Sequence, residues 1–360
     1  MLPTHALMES LSANLHQFLQ RIDGDLTKPQ KKFLRDGMVG LVRAGRPIIC
    51  EIARKIPPRG ATFPARRDRL ETRLNDESEL DQAVRESLPA LWAPRVRDDT
   101  PIILDLTDIA KPLAEKMDYL ATVRDGSTGE LVNGYWMIEL YASIRRKNPI
   151  PILMHPFSHE EPLCPGQNPL IIEAVRQVFR HTGGCGVLVI DRGGDARVLM
   201  EDWLDQRIPF VVRLRGDRDL LRFYEALGGA VDGVETCRDG QWVRVEARVL
   251  AEQIPTPHRW RFLAKSKGRT EVRTCQVGWV KVRLPGRPEE LTMVVSRMPG
   301  RQTPLMLLTS LPVACFCDAR RVLRHYRRRW ECEMYQSYYD PCHTFCHMEV
   351  LCLGRVRAAA

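Results

Sequence analysis

The sequence predicts an α/β protein: a mixed sheet with flanking helices, a helical N-terminal region ahead of it, and an inserted β-rich subdomain. Three observations predict this. Residues 1–95 place apolar side chains at helical spacing. Residues 101–214 give three short apolar runs in succession, then helix, strand, helix and strand. From about Gly216 the chain turns to apolar–polar alternation punctuated by Gly and Pro.

In the first region Leu11, Leu15, Phe18, Leu19 and Ile22 mark one helix, which Gly24 breaks. Lys28-Pro29 opens the next, running through Val39, Leu41 and Val42 until Gly45-Arg46-Pro47 interrupts it. The apolar run Ile48–Ile52 follows, then basic or mixed-charge patches at Arg54-Lys55 and Ala65–Arg69. A basic DNA-recognition domain and a helical interaction domain with solvated charges are equally good readings.

Pro94–Thr100 is a polar connection. Pro101–Asp105 is an apolar run ending in an acid, read as a buried strand with a functional tip. Lys111-Pro112 and Leu113–Leu120 turn the chain away, and Asp125–Gly129 is a loop. Tyr135–Ala142 and Pro151–Met154 are the second and third strands, and Leu170–Arg180 is a helix ended by Gly183-Gly184. Gly186–Asp191 is a fourth strand that again finishes on an acid, followed by a helix at Ala196–Leu204 and a fifth strand at Pro209–Leu214. Strands one to three are expected as antiparallel neighbours, with the two acid-tipped strands side by side, projecting Asp105 and Asp191 at one edge.

In the insertion, Gln241–Val249 alternates strictly, while Cys275–Val282 and Leu291–Arg297 do so more loosely. Leu305–Leu308 is apolar, Pro312 breaks it, and Asp318 is expected to cap the helix carrying His325–Asp340. The expected division is a helical region at 1–95, the first part of the core at 96–219, the insertion at 220–304, and the helical end of the core at 305–360. No internal repeat or low-complexity segment stands out.

The 360 residues are 44% apolar and 28% charged, an ordinary globular balance with enough chain for a sizeable core. The net charge of +9 comes mostly from arginine and favours a polyanionic partner, nucleic acid first and an anionic membrane second; a merely basic soluble protein accounts for the total equally well. Met1–Leu15 lacks a basic segment followed by an apolar run, so no secretory signal is expected. No apolar stretch approaches the roughly eighteen residues of a membrane span, so a cytoplasmic protein is expected. The eleven cysteines are scattered and odd in number, which favours reduced thiols.

The chemistry centres on His325–Asp340. On a regular helix Tyr326, Arg329 and Glu333 fall at i, i+3 and i+7 and share a face. An Arg can grip a phosphate while the carboxylate holds the metal that activates the attacking oxygen. Alone, such a pair is more often a solvated helical ion pair. Asp105 and Asp191 give it weight, although a single strand-tip Asp is more often a cap or turn residue. Three hard oxygen donors suit one or two Mg²⁺ ions. Two ions about 3.5–4 Å apart stabilise both oxygens of an in-line displacement at phosphorus.

These residues resemble the DDE-type insertion-sequence transposases whose third motif reads Tyr-x2-Arg-x3-Glu-x6-Lys. Tyr326, Arg329 and Glu333 match its first three positions. Ile103–Thr107 resembles the first motif, an Asp at a strand end with a nearby Thr, and Val189–Asp195 the second, an Asp-Arg pair opening a helix. Phe210–Asp219 and Leu307–Pro312 extend the likeness over roughly residues 100–340.

The resemblance implies an RNase H-like core with an inserted β subdomain and a helical N-terminal region that binds terminal inverted repeats. It implies metal-dependent cutting of DNA at the element's ends and attack of the freed 3′-hydroxyl on target DNA, in the bacterial cytoplasm at the nucleoid. Asp105, Asp191 and Glu333 would hold two Mg²⁺ ions, with Mn²⁺ able to substitute. Tyr326 and Arg329 would contact DNA near the cut. Arg192 is equally a DNA contact and a structural salt-bridge partner. Asp108 competes with Asp105 for the first place, and Asp105 is preferred because it ends the apolar run. Pairing two element ends implies a homodimer on DNA.

One departure is chemical. The motif's lysine is replaced by Asp340, followed by Pro341, which puts an anion where a phosphate-binding cation is expected and disturbs the helix. With an end soon after, at Arg355–Ala360, a truncated or decayed copy that only binds DNA is the alternative reading, and another RNase H-like nuclease is a second. Cys342, His343, Cys346 and His347 have zinc-like i, i+4 spacing but no second pair at finger spacing, so thiols in a diverged tail are the simpler reading. Gly183–Gly186 lacks the Lys-Ser/Thr of a phosphate loop.

Overall fold

The computed structural model describes Ala13, residues 16–20 and residues 26–332, except Pro47, 76–77, Ser127, 146–147, 224–241 and 267–268. The helix expected at Leu11–Ile22 falls mostly outside these residues. So do Glu333, Asp340 and the Cys342–His347 cluster.

Helix α1, Lys28–Ala44, starts where Pro29 sets the backbone angle of its first turn. The Gln30 side chain reaches back to accept from the Thr27 amide and hydroxyl, both at 2.8 Å. Gly45, at φ 65°, ends it. The apolar run at Ile48–Ile52 belongs to a short helix, α2 (Ile49–Lys55), which lies so close to α1 that a Cβ on Gly40 would stand 2.8 Å from the Ile52 carbonyl. Helices α3 (Phe63–Asn75) and α4 (Ser78–Trp92) complete this part. Phe33, Leu41, Ile52, Leu70, Leu74 and Leu80 give these helices a core of their own. At its far end α4 packs Trp92 against the main core.

Among the described residues the strands are β1 (Pro101–Ala110), β2 (Ala121–Arg124), β3 (Leu131–Arg145), β4 (Asn148–Phe157), β5 (Val187–Ile190), β6 (Phe210–Arg213), β7 (Asp219–Phe223), β8 (Trp242–Glu246), β9 (His258–Ser266), β10 (Arg269–Arg283), β11 (Leu291–Arg297) and β12 (Leu305–Thr309). They form one sheet in the order β2-β3-β1-β5-β6-β12-β11-β10-β7-β8, with β4 on β3 and β9 on β10. As the sequence leads one to expect, β1, β3 and β4 are antiparallel neighbours, and β5 lies beside β1, parallel to it. β6 continues parallel to β5.

The β-rich insertion does not form a sheet of its own. β12 runs antiparallel to β6 and offers its other edge to β11, so the insertion continues the core sheet. Strict alternation at Gln241–Val249 also ends early. β8 stops at Glu246, and helix α7 (Ala247–Gln253) begins because Ala247, Leu250, Ala251 and Ile254 recur at i, i+3, i+4 and i+7 and are buried together. Asp318 lies inside the first turn of helix α8 (Phe316–Arg328), where its carboxylate accepts from the Ala314 and Cys315 amides at 3.0 and 3.1 Å. These bonds, that of Ala314 first, hold its pKa below the ordinary value.

The sheet separates two cores. Helices α5 (Gln167–His181) and α6 (Arg197–Asp205) cover the face bearing Ile102, Leu104, Leu188 and Ile190. Helix α8 covers the other, pressing Val322, Leu323 and Tyr326 onto Val187, Val189, Val211 and Leu307. Trp203 on α6 is fully buried, tilted against Phe210 with centroids 5.8 Å apart. Trp203→Ala is expected to lower unfolding stability by about 3–5 kcal/mol, read by chemical denaturation; a loss under about 1 kcal/mol would contradict this packing.

Candidate active site

Side chains alternate along a strand, so residues of one parity share a face. On β1, Ile103 clusters with Cys332, which lies just beyond α8, and Asp105 follows on that same face. On β5, Val187 and Val189 also face α8, and Asp191 is next in that row. The register Ile103↔Val189 and Leu104↔Ile190 carries forward to set Asp105 level with Asp191, on strands about 4.8 Å apart. Asp191 keeps extended angles, φ −82° and ψ −161°, and so prolongs its strand by one residue. Both aspartates thus lie on the α8 face where β5 stops. β1 itself runs on to Ala110, so Asp105 stands in mid-strand rather than at a strand end.

Asp191 opens a single 3-10 turn, Arg192–Gly194, and its Oδ1 accepts from the Gly193 amide at 2.7 Å. That turn presses on β5: a Cβ on Gly194 would stand 2.3 Å from the Ile190 side chain. Behind it Asp195 is buried. It takes the Arg218 Nε at 2.6 Å and the Arg215 amide at 2.6 Å, while its carbonyl accepts from both guanidinium groups. The chain after β6 is thereby tied to the turn that carries Asp191. Arg192 is exposed and makes no ion pair among the described residues.

Helix α8 does not continue regularly through the motif. The Arg329 amide bonds to the Tyr326 carbonyl at 3.1 Å and the Cys332 amide to the Arg329 carbonyl at 3.2 Å, both i to i−3. The helix is thus interrupted by a turn at Arg329, itself at helical angles of φ −52° and ψ −38°, and helical residues resume at 330–332. Tyr326 and Arg329 therefore flank an irregularity in the helix, and Glu333 lies outside the described residues. Arg329 is buried with an Nη1 3.8 Å from Asp105 Oδ1, and the Cys332 thiol lies 3.7 Å from Asp105 Oδ2. Tyr326, expected to contact DNA, is 3% exposed within the apolar core under α8, and its hydroxyl finds no hydrogen-bond partner among the described residues.

Glu139 was not among the expected site residues. It is opposite Asp105 in the β1–β3 register, hence on the same face; it is buried and accepts from the Tyr141 hydroxyl at 2.8 Å. Its signal in the sequence is a lone acid inside the apolar run Tyr135–Ala142. Four residues beyond Glu139, Ser143 donates to Glu331, which also takes Arg328 Nε at 3.3 Å. Asp108 lies on the opposite face of β1 and accepts from the Gly126 amide at 3.1 Å. Among the described residues no three His, Cys, Asp or Glu side chains converge as a metal-holding group.

His325 is buried on α8 with its Nε2 2.9 Å from Asp99. Burial pushes its pKa below the ordinary 6.5, reinforced by Arg321 and Arg328 and opposed by Asp99. A lowered pKa means that the unfolded chain takes up the proton first, so stability is full above about pH 6.5 and falls as the pH drops toward the folded value. Urea midpoints between pH 7.5 and 5 are expected to decline below about 6.5, and to decline less in His325→Gln; identical profiles would refute the effect.

No protein-family model matches the sequence, and no curated protein matches it. Among solved structures the chain is similar to that of "piggyBac transposase synaptic complex with hairpin DNA", with 10% identity, a TM-score of 0.46, and 92% of this chain aligned. The chain spans 65% of that protein's length. A likeness this loose establishes neither family nor activity. No helix among the described residues is long and apolar enough to cross a membrane.

Proposed function

We infer that this chain is a DNA transposase of the DDE type, with an RNase H-like core. The observation that carries the reading is the placement of Asp105 and Asp191 level on adjacent parallel strands, on one face, beneath a buried arginine. Three antiparallel strands followed by two parallel ones support the core assignment.

The donor set fits a hard divalent cation. Asp105 and Asp191 offer carboxylate oxygens on neighbouring strands, and the single amide bond to Asp191 Oδ1 leaves its other oxygen available among the described residues. Asp105 and Asp191 would hold Mg²⁺ or Mn²⁺, and Glu333, outside the described residues, is proposed as the third ligand. When bound, the metal supplies charge neutralisation and an activated oxygen nucleophile at phosphorus.

The chain's own residues do the rest. Arg329, fixed above Asp105, sets a permanent positive charge at the carboxylates and is placed to receive a phosphate oxygen. Arg192, exposed on the Asp191 turn, is a second phosphate contact. Tyr326 acts from within the core by seating the end of α8, next to Arg329. The substrates are the element's inverted-repeat ends and target DNA, joined by a homodimer.

The test is a cleavage assay of purified protein with Mg²⁺ or Mn²⁺ on DNA bearing the inverted repeats that flank its reading frame. Specific nicking and joined products support the proposal. Cleavage without joining identifies another nuclease. Binding without cleavage in either metal identifies a DNA-binding remnant, as Asp340 in place of the lysine would favour.

A further inference from the structure

We propose that the solvent face of the β9–β10 hairpin is a nucleic-acid-binding surface that grips the phosphate backbone through Arg259 and Arg261. Residues 258–283 contain eight Lys or Arg and one acid, a far greater bias than the whole-chain excess of +9. Register pairs Arg259 with Gln276, Arg261 with Thr274 and Leu263 with Val272, which puts all six on one face. Arg259 and Arg261 are exposed, and neither makes an ion pair among the described residues. Other cations of the hairpin are already engaged: Arg273 with Glu271 at 3.7 Å, Lys281 with Glu290 at 3.1 Å, and Arg283 over the Trp242 ring at 4.1 Å.

The opposite face explains why these two arginines are held outward. His258 is stacked on both Trp279 and Phe316, with ring centroids 5.1 and 5.0 Å away. Arg327 of α8 lies 4.1 Å over Phe262 and donates to the Leu263 carbonyl at 2.6 Å. The inner side chains of β9 are therefore locked to α8, and alternation forces Arg259 and Arg261 the other way. Two residues along a strand span about 6.7 Å, roughly twice the 3.4 Å axial rise per phosphate of one DNA strand. Guanidinium groups at that spacing can each take a phosphate. A nucleic acid carries phosphates at this spacing along its whole length whatever its sequence, whereas a protein strand does so only where acids alternate, so the partner of this surface is a nucleic acid. This assignment goes beyond the proposed catalytic reading and does not need it.

The experiment is fluorescence anisotropy with a DNA duplex of about 30 base pairs, titrated at several salt concentrations, comparing the wild type with R259A/R261A. Losing two phosphate contacts is expected to flatten the log K against log salt slope by about 1.8 and to weaken binding on the order of 50-fold at 0.1 M salt. The thermal midpoint should not move, because both side chains are exposed. Unchanged slope and affinity would overturn the proposal. So would unchanged DNA binding with lost affinity for vesicles containing anionic phospholipid. Asp105→Asn should retain the wild-type slope, so failure of cleavage and failure of this surface are read separately.

Discussion

If the proposed reading holds, Asp191→Ala is expected to abolish metal-dependent cleavage while leaving the fold and DNA binding in place. Asp191 is partly exposed and spends one oxygen on the Gly193 amide, so its removal disturbs a surface turn rather than a core. Losing a ligand that supplies several kcal/mol of transition-state charge stabilisation, about 4 kcal/mol, corresponds to a rate loss on the order of 10³-fold. The measurement is initial nicking rate under saturating Mg²⁺, with circular dichroism as the folding control. Activity within tenfold of wild type would remove Asp191 from the proposed site.

Asp195→Ala is expected to act in the opposite manner, on stability first. Its carboxylate has no solvent contact and holds Arg218, itself only 17% exposed, together with the Arg215 amide. Removing one partner leaves a mostly buried guanidinium uncompensated, at a cost of about 3–5 kcal/mol, and the remaining access to water places the loss near the lower figure. Denaturant unfolding reads it directly. Asp195→Asn should recover part of the loss by accepting from the Arg215 amide. A variant as stable as the wild type would mean that the turn bearing Asp191 is held by the Gly194 contact alone.

What the sequence made legible is what local periodicity encodes. The runs at Pro101–Asp105 and Gly186–Asp191 declare two buried strands with acids one step beyond the apolar core, and the register then aligns them. Glu139 was hidden because its relation to Asp105 is set by β1–β3 pairing, a contact between distant residues that composition does not specify. β7 was missed because Asp-Leu-Leu-Arg-Phe is short and does not alternate; β9 was missed although Arg259-Trp260-Arg261-Phe262 does alternate. The turn at Arg329 was equally hidden: Tyr-Arg-Arg-Arg-Trp reads as uninterrupted helix, and nothing local in it marks the i to i−3 bond from the Arg329 amide. Asp195 was visible as a residue but not as a clamp, since Arg215 and Arg218 reach it from beyond the next strand.

The stitching of β11 onto β12 sets a limit on how this architecture can be trimmed. Excising residues 219–297 would strip β12 of its outer neighbour and turn a row of interior backbone amides and carbonyls into an adhesive border. The apparent appendage is therefore the sheet's own guard against self-association, and a shortened variant should precipitate where the intact chain stays dispersed.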